Sequence, residues 1–236
     1  MFTRNMSYTN IFFDLDHTLW DFERNSSESL SEVFREAQLE QYGIPSEIDF
    51  VQSFLKINTK LWDQFDRGLI PHTFIRENRF KLVFQELGAS LPAHQNEIGE
   101  IYLQTLPTKK HLLEGAISIL DYLSNKGYRL HIITNGFNDV QNKKIQSSGI
   151  AHYFSNVVTF ETANAKKPDP LIYEYAIGMT NTHRSECLMI GDNWIADIWG
   201  AKQVGLDTIY YNPSRLKFDD KPTFDIQHLL DLKHIL

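Results

Sequence analysis

Short apolar runs alternating with amphipathic stretches mark the start and the second half of the chain, whereas residues 23–106 mix polar and apolar positions at helical spacing. Residues 10–15 read NIFFDL, the right length for a buried strand that delivers Asp14 at its C-terminal end. In the following stretch Leu30, Val33, Phe34 and Ala37 recur at i, i+3, i+4 and i+7, which predicts a helix capped by Ser26 or Ser27. Further helices are expected over about Ile48 to Phe65, Thr73 to Leu87 and His94 to Leu106, with Gly68, Gly88 and Pro107 as stop signals. Beyond Pro107 the order is helix (EGAISILDYLSNKG), strand (YRLHIIT), helix (Asp139 to Ser148), strand (NVVTF) and helix (Leu171 to Met179). Then come a strand (CLMIGD), a helix (Ile195 to Val204), a strand (DTIYY) and a last short strand and helix in TFDIQHLLDLKHIL. Helices of this length between short apolar strands imply right-handed βαβ units. The fold class is therefore α/β, a doubly wound parallel sheet interrupted after its first strand by an all-helical insertion. Residues 1–21 and 107–236 are expected to form the sheet domain and residues 22–106 the helical one, with hinges near 18–22 and 106–110.

Ligands of open parallel sheets bind beyond the carboxyl ends of the strands. Those ends carry Asp14, Asp16 and Thr18; Thr134 and Asn135; and Asp192, Asn193 and Asp197, while Lys167 follows the NVVTF strand. Two adjacent carboxylates at 14 and 16 repel unless a cation or proton intervenes. Asp14 and Asp192 suit Mg²⁺, a hard cation that prefers oxygen ligands, and Asp16 would be left for proton transfer. The same pair also fits turn formation and helix capping, and by itself does not decide between them. Thr134, Asn135 and Gly136 suit a phosphate as a hydroxyl and turn amides, or form an ordinary strand-to-turn junction. Lys167 offers a point charge, and Asp197 either braces that lysine, supports a metal through water, or merely favours a helix N-terminus.

Composition narrows the field. The 236 residues carry a formal net charge of -7, which disfavours a grip on nucleic-acid polymers. A single cysteine, Cys187 in an apolar run, is expected to be an inert core thiol. With no signal-like segment and no apolar span of membrane length, the expected location is the cytoplasm, with no membrane partner.

The ordered set D-x-D-x-T (Asp14, Asp16, Thr18), T-N (Thr134, Asn135), K-P (Lys167, Pro168) and G-D-x-x-x-x-D (Asp192, Asp197) resembles the haloacid dehalogenase-like hydrolases over essentially the whole chain. The resemblance implies a Rossmann-like core with an inserted helical cap that closes over the site. Asp14 would be the nucleophile, Asp16 the general acid/base, and Thr134 and Lys167 the phosphate binders. Mg²⁺ would be held by Asp14, the backbone carbonyl of Asp16, and Asp192, with Asp197, Thr18 and Asn193 in support. The family's dehalogenases lack an acid two residues after the nucleophile and need no Mg²⁺, so Asp16 implies a phosphatase. ITNGF, KKPDPLIYEYA and WDQFDRGLIPHTFIRENRF are similar to the pyrimidine 5′-nucleotidase branch, which implies a small phosphorylated metabolite, a nucleoside monophosphate, as partner. A sugar phosphatase, a phosphomutase and a non-enzymatic interaction module stand as alternatives. Arg76 and Arg79, three apart on one predicted helix face, are candidate substrate contacts, or else are solvated or paired with Glu77 and Glu86. Trp20, Trp62, Phe65 and Phe74 are expected in the core rather than stacked on a base; Trp194 and Trp199 are expected to pack the last helices.

Overall fold

The computed structural model describes residues 8–92 and 95–236, and the chain divides into two compact units, Phe22–Lys109 and Met1–Asp21 with Lys110–Leu236. The helical unit retains residues 107–109. Leu106–Thr108 continues its last helix as a 3₁₀ turn, and Lys109 Nζ lies 2.5 Å from Glu32 Oε1.

Among the described residues, four α-helices build that unit: α1 (Phe22–Glu36), α2 (Glu47–Asp66), α3 (His72–Glu86) and α4 (Gln95–Thr105). Ser26 and Ser27 do not cap α1; the helix begins a turn earlier, and both serines lie inside it. Their hydroxyls find other partners. Ser27 Oγ donates to the Glu23 carbonyl at 2.7 Å, and Ser26 Oγ meets Tyr102 Oη at 2.8 Å, so neither disrupts the helix. The cap on α2 is Ser46, whose hydroxyl accepts from Asp49 N at 3.1 Å. The predicted start of the fourth helix at His94 lies outside the described residues. A buried aromatic cluster of Phe50, Phe54, Phe80 and Tyr102 fills the centre of the unit.

The second unit is a six-stranded, all-parallel sheet of β1 (Asn10–Phe13), β2 (Arg129–Thr134), β3 (Phe154–Thr159), β4 (Cys187–Gly191), β5 (Asp207–Tyr211) and β6 (Phe224–Ile226). Their spatial order is β3-β2-β1-β4-β5-β6. The intervening helices are α5 (Ala116–Asn125), α6 (Asn138–Ser147), α7 (Phe160–Ala163), α8 (Pro170–Thr180) and α9 (Gly200–Gln203). Phe12, Ile133, Val158 and Met189 pack with Ile172, Tyr173 and Ala176 of α8 and with Ala201. Strand alternation sends Ile11, Phe13, Ile132 and Ile190 to the opposite face, and these too are fully buried. Burial on both faces is why these strands read as continuous apolar runs. Cys187 lies in this core, as expected, and burial pushes its thiol up.

Two departures bear on the site. The expected helix from Ile195 opens instead as a π-helical turn, Trp194–Trp199, before α9. Within that turn Ala196, Asp197 and Ile198 face inward, so Trp199 is 44% exposed rather than packed, while Trp194 stacks on Phe218 with ring centroids 4.1 Å apart. The C-terminal helix is a 3₁₀ segment, Leu229–His234.

Candidate active site

Strand β1 stands between β2 and β4, where successive crossovers leave toward opposite edges of the sheet, and such a switch point opens a crevice beyond the strand ends. Asp14 follows β1 directly, and its N–H donates to the Ile190 carbonyl of β4 at 2.9 Å. Thr134 ends β2, and Asp192 follows β4. Parallel registry thus sets three of the candidate side chains along one rim.

Lys167 is brought to that rim from a loop. Asn135 clamps its main chain: Lys167 N donates to Asn135 Oδ1 at 2.8 Å, and Asn135 Nδ2 donates to the Lys167 carbonyl at 2.9 Å. The predicted phosphate-binding Asn135 thereby spends its side chain on holding the lysine. Lys167 is 2% exposed; its Nζ donates to Asp14 Oδ1 and Asp197 Oδ1, both at 2.6 Å, and to the Ile133 carbonyl at 2.9 Å. The lysine's three protons are thus all placed. Asp197, fully buried, also accepts from Asn193 N at 2.9 Å, and Asn193 Oδ1 accepts from the Ile195 and Ala196 amides to start the π-helical turn. A Cβ at Gly191 would overlap the Asp197 carboxylate, so glycine is required there for Asp197 to come this close. Thr18 Oγ1 donates to Asp192 Oδ1 at 3.0 Å.

Carboxylate oxygens of Asp14, Asp192 and Asp197 lie within 4.8 Å of one another. Burial, together with the charges of Asp197 and Asp192, holds the Asp14 carboxyl well above its ordinary range against the pull of Lys167. Burial and Asp197 likewise raise Asp192 to about 6. Lys167 is the opposite case: burial disfavours its charge, but Asp14 and Asp197 outweigh that and raise its pKa. Three carboxylates face one ammonium, a surplus of negative charge on hard oxygen donors that a divalent cation would relieve.

Asp16 belongs to a different set of contacts. Its Oδ1 accepts from Lys144 Nζ at 2.6 Å and its Oδ2 from Gln141 Nε2 at 2.8 Å, both on α6. Burial alone would raise this carboxyl, but the Lys144 charge and hydrogen bond, with Gln141, outweigh it and bring the pKa below the usual value. Gln141 Nε2 also donates to Thr134 Oγ1 at 2.7 Å, and Gly136 N donates to the same oxygen at 3.1 Å. Sequence reasoning missed Gln141 and Lys144. Both sit beside Val140 and Ile145 on the buried side of α6, but as polar residues they leave no mark in the hydrophobic periodicity.

Arg76 and Arg79 diverge rather than share a face. Arg76 is exposed and pairs with Glu100 at 3.1 Å, not with Glu77 or Glu86. Arg79 is 5% exposed, donates to Asn58 Oδ1 at 2.9 Å, and lies 4.8 Å from the Phe54 ring and 4.9 Å from that of Tyr102. It is a core residue of the helical unit, neither solvated nor paired with a glutamate. Trp62, Phe65 and His72 form a separate aromatic group there, and Trp20 is fully buried in the sheet unit.

Known proteins resemble the chain in sequence and fold. The family model of haloacid dehalogenase-like hydrolases matches residues 8–205. The chain is similar to the pyrimidine 5′-nucleotidase PynA of Streptococcus pneumoniae, 31% identical over 231 residues, covering 96% of this chain and 94% of the relative. A glyceraldehyde 3-phosphate phosphatase of Pyrococcus abyssi is 32% identical over 206 residues, covering 85% and 80%. Among solved structures, the putative HAD-hydrolase YfnB of Bacillus subtilis, bound to magnesium, superimposes with a TM-score of 0.86 at 28% identity, covering 97% of this chain and 98% of that one. With six parallel strands in Rossmann-like order and this extent of similarity, the chain belongs to the haloacid dehalogenase-like hydrolases and is a phosphoric monoester hydrolase.

Proposed function

We propose that the protein is a Mg²⁺-dependent phosphatase of nucleoside 5′-monophosphates that carries the phosphoryl group transiently on Asp14. The observation that carries this reading is the buried cluster at the switch point. Lys167 Nζ sits 2.6 Å from both Asp14 and Asp197, with Asp192 in the same group of carboxylates.

The donor set fits the cation. Asp14 and Asp192 would hold it with the Asp16 backbone carbonyl, and Asp197, already committed to Lys167 and Asn193, would support it. When bound, Mg²⁺ supplies Lewis-acid charge neutralisation for the phosphoryl group.

The chain's own residues account for the rest. Lys167 fixes one Asp14 oxygen, which leaves Oδ2 to attack phosphorus. As the new O–P bond forms, the bond to the leaving oxygen breaks, and that oxygen takes a proton from Asp16, which Lys144 and Gln141 otherwise hold ionised and which first takes that proton from the arriving phosphate monoanion. Water then attacks the aspartyl-phosphate and gives its proton to the Asp16 carboxylate, and Asp14 departs as a carboxylate. Thr134 accepts from two N–H groups, so its own hydroxyl proton is available to a phosphoryl oxygen.

The nucleotide preference rests on similarity to the nucleotidase PynA. The 32% identity to the glyceraldehyde 3-phosphate phosphatase favours a sugar phosphate as the second reading. Phosphate release from nucleotides, sugar phosphates and phospho-acids, compared by kcat/KM, separates the two. A nucleoside monophosphate should lead, and sugar phosphates turned over far faster would refute the nucleotide assignment. Asp14→Asn should lower turnover by orders of magnitude with the fold intact. EDTA should abolish activity and added Mg²⁺ restore it; indifference to chelation would remove the metal from the mechanism.

A further inference from the structure

We propose that Arg79 anchors an oxyanion-binding site inside the helical unit, where one edge of its guanidinium takes a phosphate or phosphoryl group. None of the residues involved belongs to the carboxylate cluster at the switch point, and the inference does not depend on the nucleotide reading above.

The charge on Arg79 is in the wrong place for a lone cation. The four other arginines of the helical unit, Arg24, Arg35, Arg67 and Arg76, are exposed, and they lie 3.3, 3.8, 2.9 and 3.1 Å from a carboxylate. Water would serve those four almost as well. Arg79 is 5% exposed, and among the described residues it pairs with no carboxylate. Burial pushes its pKa down, and of the ionisable groups the Tyr102 phenol alone counters that. A guanidinium does not give up its proton in a protein, so the charge stays, and a buried charge without a partner is costly.

The donors of Arg79 point to the missing partner. A guanidinium has five N–H groups. Among the described residues Arg79 uses one, from Nη1 to Asn58 Oδ1 at 2.9 Å, and its Nε is buried without an acceptor. With Nη1 taken, the edge that remains is Nε with Nη2, whose parallel N–H bonds form the fork that holds a carboxylate or phosphate bidentately. Aromatic rings surround the group: Cζ lies 4.8 Å from the Phe54 ring, 4.9 Å from that of Tyr102 and 5.7 Å from that of Phe80. Those rings and Asn58 fix the direction of the fork before any ligand arrives. Ser53 Oγ, on the helix that supplies Phe54 and Asn58, is a second buried polar atom without a partner. Water could satisfy the donors but would leave the charge uncompensated, whereas an oxyanion answers both.

A phosphoric monoester hydrolase releases inorganic phosphate at every turnover, so phosphate is the first probe. Methylphosphonate is the second; it presents a phosphoryl group as a metabolite carries it, on a C–P bond that ester hydrolysis does not cleave. The experiment is thermal unfolding of the full chain in EDTA, with each anion titrated against sodium chloride at equal ionic strength. Without metal, three carboxylates against one ammonium repel an anion from the switch point, so stabilisation by the anion reports on Arg79. Hydrogen exchange under the same conditions locates the effect.

Phosphate should raise the Tm of the wild type by several degrees, saturably, and chloride should not. Exchange should slow in α2 and α3 around Asn58 and Arg79. Arg79→Met should abolish the shift; the shift, not the starting Tm, is the reading. If that variant does not fold, Arg79→Lys carries the test, because it keeps the charge without the fork and should lose most of the response. A shift with phosphate alone assigns the site to the released product, and an equal or larger one with methylphosphonate assigns it to a phosphoryl group on a metabolite. No saturable shift in the wild type, a shift retained in full by either variant, or protection confined to the strand ends of the sheet unit would overturn the proposal.

Discussion

His131 shows how one side chain can couple folding to pH. It lies buried in β2, with Nε2 3.1 Å from Asn10 Oδ1 and Nδ1 2.9 Å from Asn156 Nδ2. Asn10 turns its amide nitrogen to Thr9 and Thr182, which leaves its oxygen to face the ring. Nε2 must then donate and Nδ1 accept, a neutral imidazole with both nitrogens satisfied. Protonation would set an N–H against the Asn156 amide. Burial, with a smaller contribution from Arg129, lowers the pKa from 6.5 to about 4. The sign follows: between about 4 and 6.5 the unfolded chain binds a proton that the folded one refuses. The stabilisation is therefore complete above 6.5 and is lost as pH falls toward 4. His72, held at about 4 by burial and by the charges of Arg76 and Arg79, contributes in the same direction. Comparing wild type with His131→Leu cancels it. Urea midpoints should show wild-type stability falling more steeply on acidification, by at most about 1.4 kcal/mol per pH unit. Parallel pH profiles would mean that His131 is protonated in the fold.

At the scale of elements, α6 depends on the turn that precedes it. A Cβ on Gly136 would overlap the carboxamide carbon of Gln141, so glycine there is what lets Gln141 reach back to Thr134 and Asp16. Gly136→Ala should therefore act by evicting Gln141, lowering kcat/KM and costing about 1–3 kcal/mol of stability through overpacking. A double-mutant cycle makes the claim specific: Gly136→Ala added to Gln141→Ala should cost little more activity than Gln141→Ala alone. Fully additive losses would show that the glycine serves something else. The same region marks the limit of what the sequence discloses. Strand ends were legible because apolar runs of four to six residues stop at Asp14, Thr134 and Gly191. The partners of Asp16 were not, because periodicity marks inward-facing positions by their hydrophobicity, and Gln141 and Lys144 are polar residues facing inward. The π-helical turn escaped for a related reason: its Trp and Ile positions mimic an ordinary amphipathic helix, whereas Asp197 faces inward to accept from Lys167 Nζ and Asn193 N. Arg79 was misread because an arginine between Phe54 and Tyr102 looks, in sequence, like any surface charge.

For the molecule as a whole, the cluster at the switch point binds together segments far apart in the chain: Asp14 after β1, Lys167 after β3, and Asp192 and Asp197 after β4. One lysine does not neutralise three carboxylates, so in the metal-free protein this junction is a point of internal repulsion within a chain already at net charge -7. A cation that binds the folded site and not the unfolded chain stabilises by RT ln(1 + [L]/Kd), about 2.7 kcal/mol at a hundredfold excess over Kd. Thermal unfolding of the wild type should accordingly shift upward by several degrees with Mg²⁺. The proposed ligands all belong to the sheet unit, so if the two units melt separately only the sheet transition should move. Asp192→Asn separates this from a general salt effect. Asparagine keeps an oxygen for the Thr18 hydroxyl but removes a charge. The variant should melt at or above the wild type without metal and gain far less from Mg²⁺. A metal-free variant that melts well below the wild type, with an undiminished Mg²⁺ shift, would place the cation elsewhere and deprive Asp192 of its proposed role.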